Sequence, residues 1–358
     1  MATQTSIVPY IFQNMNVMNI AIVNFRDSIL SSVIGPYEML SKTPSILENF
    51  GIESNGVKFE VELVTDFNTI SQSGGTTGQP QLSSSATIQS TKIYDLIVIP
   101  AMSEDKINIV LERERRLIDW IKWQYHEGAE VASICLGAFI LASTGLLHGK
   151  CATTHWLGVD YFKEMFPDVK MVDDKIIVDN GNLYTSGGAF SFTSLMIYLI
   201  EKYCGHQAAV TMSKVFLIHV HDTQQTSYSI LSLQGRHNDK QIKLVQQYIE
   251  ENYMNSFKIE TLAKIAIMGG RTFIRRFKKA TGNTPYEYIQ RVKVEVAKKM
   301  LEKSDEGVEQ ISMNVGYMDF SAFRKVFKKN VGITPYDYKK RYSHMFFPRV
   351  AQKMLIEK

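Results

Sequence analysis

At 358 residues, with 45% apolar residues and a formal net charge of +4, the chain is too long for one ordinary core and suits two domains. No apolar run reaches the roughly eighteen residues of a membrane span. The start, MATQTSIVPYIFQNMN, lacks a secretory signal, and three cysteines without a CxxC pair argue against a disulfide framework or a structural zinc site, so a cytoplasmic protein without cofactor or metal is expected.

Residues 1–16 are polar and aperiodic and read as a loose tail. VMNIAIVNF (17–25) reads as a buried strand, VKFEVELVTD (57–66) as an alternating one and YDLIVIPA (94–101) as a third, ended by Pro100. Glu112 to Gly128 reads as one helix, with Leu117, Ile118, Ile121 and Tyr125 on one face and Gly128 as its stop. Alternating strands and helices predict an α/β domain with a mostly parallel sheet.

AEVASICLGAFILASTG (129–145) is the informative unit. A β run, Val131 to Ile134, meets Cys135, and Leu136-Gly137-Ala138 opens an apolar helix. This is the layout of a nucleophile elbow, in which a sharp strand-to-helix turn presents one side chain at a helix N-terminus. The helix dipole would lower a thiol pKa there. The plainer alternative is that Cys135 is a buried small hydrophobe.

Two other stretches carry less. SQSGGTTGQP (71–80) has no Lys after its last Gly and reads as a solvent loop rather than a phosphate cradle. His219, His221 and Asp222 end an apolar helix-like run, where capping explains them better than a metal does. Residues 224–239 turn polar and read as the linker after a domain spanning 17–223.

The charge is unevenly divided. Residues 240–358 hold 24 Lys/Arg against 12 Asp/Glu, which leaves 16 against 24 for residues 1–239. A basic part suits the neutralisation of phosphates, whereas the acidic remainder would be repelled by nucleic acid. IKLVQQYIEENY (242–253) is an amphipathic helix. A second helix follows from Ile259, a turn at Met268-Gly269-Gly270, and a third from Arg271 to Ala280 stopped by Gly282, which is the order of a helix-turn-helix.

RTFIRRFKKATGNTPYEY (271–288) recurs fifty residues later as SAFRKVFKKNVGITPYDY (321–338), with nine of eighteen positions identical. In each copy an aromatic pair, Phe273/Phe277 and Phe323/Phe327, faces a core. The opposite faces display Arg271, Ile274, Arg275 and Lys278 in one copy and Ser321, Arg324, Lys325 and Lys328 in the other. From Thr284-Pro285 a long helix, about 27 Å at ~1.5 Å per residue, would hold the copies near the ~34 Å repeat of major-groove sites. Double-stranded DNA is the expected partner of the domain at 240–342, with 343–358 as an extension.

Both halves also resemble known families. SICLGAFILASTGLLHGKCATTHW (133–156), IGPYEML (34–40) and GNLYTSGGAFS (181–191) are similar to the PfpI-type, class I glutamine amidotransferase-like domain of GlxA-like bacterial regulators. That resemblance implies a flavodoxin-like sheet between helices, with Glu38 facing Cys135 and His155 close to the same pocket. Two departures argue against hydrolysis: Leu136 stands where hydrolytic members have a His, and Ser32 stands where the regulators often have an Asp. LAKIA, the duplicated segment and VGYMDFSAFRKVF resemble the AraC/XylS family over about 242–342. Here Gly269 replaces the Ser that commonly caps the first recognition helix.

The expected function is a sequence-specific transcription regulator whose degenerate pocket senses a small ligand. The alternative is a Cys135-dependent amidohydrolase or glyoxalase-like enzyme fused to a DNA-binding domain. Arg271, Arg275, Arg324 and Lys325 are the candidates for base edges, and Lys278, Lys279, Lys328 and Lys329 for phosphates. Thr272, Arg276 and Ser321 complete the candidate DNA-binding set. A small-molecule effector, RNA polymerase and a second copy of the chain are the other candidate partners.

Overall fold

The computed structural model describes residues 16–66, 84–218, 225 and 237–343. The expected loop at 71–80, the cluster His219, His221 and Asp222, most of 224–239 and the extension beyond 343 lie outside the described residues. The chain divides into two compact units, Met1–Gln225 and Thr226–Lys358.

The first unit alternates strands and helices: β1 (Asn16–Val23), α1 (Ser31–Asn49), β2 (Val57–Thr65), β3 (Ala86–Thr87), β4 (Leu96–Ile99), α2 (Ile107–Arg113), α3 (Arg115–His126), β5 (Glu130–Ile134), α4 (Ala138–Ser143), β6 (Cys151–Ala152), α5 (Val159–Met165), β7 (Lys170–Met171), β8 (Ile177–Asp179), β9 (Leu183–Ser186), α6 (Phe192–Cys204) and α7 (His206–Val215). Seven strands form one sheet in the order β3-β2-β1-β4-β5-β9-β8. Each neighbouring pair is parallel except β8 and β9. β4 is buried at every position, as a strand covered by helices on both faces must be. The chain passes from β1 to β2 on one side and returns to β4 on the other, so the carboxyl ends of β1 and β4 border a topological switch point, where open α/β sheets bind ligands.

Two expectations need correction. The single helix over Glu112–Gly128 is two, broken at Glu114. Arg113 reaches Asp27 at 2.9 Å and Glu114 at 2.8 Å, and this pairing with the loop after β1 replaces continued winding. The helix after the elbow also opens later than Leu136: a 3₁₀ turn over Cys135–Gly137 precedes a helix of six residues, Ala138–Ser143.

Among the described residues the second unit is all helical: α8 (Lys240–Glu251), α9 (Ile259–Ile265), α10 (Gly270–Thr281), α11 (Pro285–Lys303), α12 (Val308–Asn314), α13 (Phe320–Val331) and α14 (Pro335–Tyr342). It holds two cores. Phe273, Phe277 and Tyr288 pack with Ile249 and Leu262, while Phe323, Phe327 and Tyr338 pack with Leu301 and Ile311. α11 supplies residues to both cores, so it is the rod that joins them. Thr284 caps it with a reciprocal bond pair to Glu287, and Pro285 takes the first turn, where its missing N–H costs nothing. The repeat extends to buried polar contacts: the Tyr288 hydroxyl donates to Glu250, and that of Tyr338 to Glu302.

Candidate functional site

Cys135 has φ +56, a left-handed conformation that costs a non-glycine residue about 1–2 kcal/mol. The surroundings impose it. At Gly137 a Cβ would stand 2.4 Å from the carbonyl oxygen of Pro100, so only glycine lets the turn press against the end of β4. Thr154 Oγ1 donates to the Cys135 carbonyl at 2.9 Å. Ser32 Oγ donates to Ile29 O at 2.6 Å and accepts from Ala101 N at 2.9 Å, tying α1 to the same strand end.

The thiol does not behave as the elbow layout predicts. Burial pushes its pKa up to about 12, outweighing the lowering effect of the Leu136 N–H. A 3₁₀ turn and a six-residue helix offer little dipole, and a thiolate removed from water is costly. The sign is clear: a raised pKa keeps the group a neutral thiol through neutral pH. Iodoacetamide labelling of Cys135, followed by peptide mass spectrometry, should therefore be slow at pH 7.5. Its rate should keep climbing about tenfold per pH unit beyond pH 9, because only the thiolate attacks. A plateau near pH 7 would contradict the burial argument.

The other two expected pocket residues separate. Glu38 is exposed on α1 and pairs with Lys42 at 2.7 Å, so it does not face the cysteine. This corrects the expectation, and the reason is helical phase: Pro36, Met39 and Leu40 take the buried side. His155 is half-buried, and burial lowers its pKa against the opposing field of Glu104. Its Nδ1 accepts from Leu157 N at 3.1 Å, which places the proton of the neutral ring on Nε2. It lies one residue from the Thr154 that holds Cys135. Leu136 is buried, and a Cβ on Gly158 would lie 2.5 Å from its Cδ2, so an apolar contact fills the position of the hydrolytic His. Thr153 and Thr154, which lie in the run 133–156 without having been singled out, and Gln225, which had no periodic or motif signal, complete this neighbourhood.

In the second unit Phe273, Phe277, Phe323 and Phe327 are fully buried. Arg271, Thr272, Arg275, Lys278 and Lys279 are exposed on α10, and Ser321, Arg324, Lys325, Lys328 and Lys329 on α13. Arg276, also exposed on α10, forms a two-point ion pair with Asp239, at 2.5 and 3.1 Å, and Asp239 in turn caps α8. Burial opposes the Asp239 charge, but Arg276 and the cap hydrogen bonds hold its pKa below the usual range. The pair gives Arg276 a structural role at the start of α8. The sequence held a clue, since the equivalent position in the second copy is Val326, which packs against the core there.

The two turns differ as well. Gly269 gives α10 no side-chain cap, whereas Asp319 accepts from Ser321 N at 2.8 Å at the start of α13. The left-handed residue of the second turn is Gly316, φ +79, while the first turn uses Ile267 at φ +55 with its side chain 84% exposed. Ile267→Gly should thus stabilise the second unit by about 1 kcal/mol, because it relieves backbone strain without losing a buried contact. A lowered denaturant midpoint would refute this. Gly316 is also required sterically, as its Cβ would meet Met254 O at 2.2 Å, and Lys293 Nζ donates to Gly316 O at 3.2 Å. These contacts seat the second turn against the first module and the rod.

Comparison with known proteins agrees with this two-part arrangement. Residues 20–202 match the DJ-1/PfpI family, and residues 262–341 match a helix-turn-helix domain. The chain is 28% identical over 211 residues to the HTH-type transcriptional regulator CdhR of Pseudomonas aeruginosa, covering 58% of this chain and 62% of that protein. It is 24% identical over 192 residues to the HTH-type transcriptional regulator GlxA of Rhizobium meliloti, covering 53% and 59%. It is also 29% identical over 178 residues to isonitrile hydratase of Pseudomonas putida, covering 49% and 67%. The alignment spans about six tenths of the two regulators. Just over half of the sequence falls within the first match, and the chain belongs to the DJ-1/PfpI family, with a helix-turn-helix domain after that match.

Proposed function

We propose that the chain is a transcription regulator that reads duplex DNA through two non-equivalent helices and carries a ligand pocket in place of an active site. The observation that supports this most is the pair of helix-turn-helix modules on one rod, each with a buried Phe pair on one face and exposed cations on the other. Because Arg271, Ile274 and Arg275 are matched by Ser321, Arg324 and Lys325, the preferred site is an asymmetric duplex. Arg275 and Arg324 present forks suited to guanine, and Lys278, Lys279, Lys328 and Lys329 meet phosphates. A salt-dependent titration with duplex DNA tests the reading. Steep loss of affinity with salt supports it, and binding indifferent to salt sinks it.

The pocket is read as non-catalytic because its cysteine is a buried thiol and the nearby imidazole of His155 has Nδ1 engaged by Leu157. Acyl transfer needs a nucleophile with a positioned base. Turnover of a small substrate that disappears in Cys135→Ser would overturn this part.

A further inference from the structure

Gln225 is the last residue of the first unit, and it is 3% exposed. Its side chain points back into the domain. Nε2 donates to Thr154 O at 3.0 Å, Thr153 Oγ1 at 3.1 Å and Lys175 O at 3.3 Å, and its backbone N–H donates to Asp174 O at 2.9 Å. Three acceptors thus converge on one amide nitrogen. The other half of the carboxamide is less well served, for Oε1 is buried without a hydrogen-bond partner. It lies over Gly187, where a Cβ would be 2.9 Å away.

This place is continuous with the elbow neighbourhood. Thr154, which receives the amide, also holds the Cys135 carbonyl. Gly188, next to Gly187, has its open Cβ position 3.5 Å from His155 Cδ2. The buried oxygen makes residue 225 an imperfect occupant, since an unpaired buried acceptor costs free energy. The acceptors are supplied by the domain itself, so they remain when Gln225 leaves.

We propose that the first unit contains a carboxamide-binding subsite beside the elbow, built from Thr153, Thr154, Lys175 and Gly187, which the chain plugs with its own Gln225. A small molecule ending in a primary carboxamide takes the subsite by displacing residue 225. Both use the same acceptors on Thr153, Thr154 and Lys175, so an occupied subsite and a seated Gln225 exclude each other. The inference deepens the reading of this domain as a ligand pocket.

The test is chemical complementation of the full chain. Propionamide has the carbon skeleton and amide of the glutamine side chain. Gln225→Gly should lower the thermal midpoint of the first unit, followed by tryptophan fluorescence, and millimolar propionamide should restore at least half of the loss while leaving the natural protein unchanged. Butanone, of the same shape without N–H donors, should restore nothing. Gly187→Ala places a Cβ against the carboxamide and should lower the midpoint in a way that propionamide does not repair. Equal effects of propionamide and butanone, or equal effects on the natural protein and the variant, overturn the proposal. If rescue fails while another metabolite still alters DNA binding, the plug is wrong and the ligand-sensing reading stands.

Discussion

Phe327→Ala is expected to cost the second helix-turn-helix about 3–5 kcal/mol, the usual penalty for emptying a fully buried phenylalanine site. The ring lies 5.6 Å from both Phe323 and Tyr338, and none of these positions can close the gap without moving α11 or α14. The measurement has a built-in internal standard. All three tryptophans, Trp120, Trp123 and Trp156, belong to the first unit. Tryptophan fluorescence in a denaturant titration should therefore keep its midpoint, while helical circular dichroism should acquire an early phase. Phe277→Ala should behave alike in the first module, where Phe273 and Tyr288 each lie 5.4 Å away. A joint shift of both signals would show that the units unfold as one and that the division of cores carries no energetic meaning.

Arg275→Ala should weaken binding to the preferred duplex by about 1–3 kcal/mol, roughly 5- to 150-fold, with little change on random duplex. Arg275 is exposed on α10 beside Arg271. Lys328→Ala should instead weaken all sequences alike and flatten the salt dependence by about one counterion. Arg276→Ala separates this set from its structural neighbour: it should loosen the start of α8 through Asp239 and leave sequence preference intact. Equal losses on specific and random duplex for Arg275→Ala would remove that residue from the base-reading set.

The faces of α10 and α13 were readable because helical period and burial are local properties. An aromatic i, i+4 pair can bury only one side of a helix, and the fifty-residue repeat states the same pattern twice. Caps and stops were readable for the same reason: Thr-Pro opens α11 and α14, and Gly282 and Gly332 end the preceding helices at φ +75 and +86. Glu38 was misplaced although Lys42, four residues on, marked it as one end of an exposed helical pair. The ion pair of Arg276 was not legible because its partner, Asp239, is 37 residues away.

The sequence by itself determined two units of opposite charge, a parallel α/β sheet with a sharp turn at Cys135, and a doubled helix-turn-helix with cations outward. These follow from periodicity, turn chemistry and composition, each of which acts over a few residues. Tertiary structure alone decided the state of the thiol, the fate of Arg276, the seating of Gly316 on Met254 and the burial of Gln225 beneath Gly187. Desolvation and close packing depend on which distant segments share a volume, and local patterns carry no record of that.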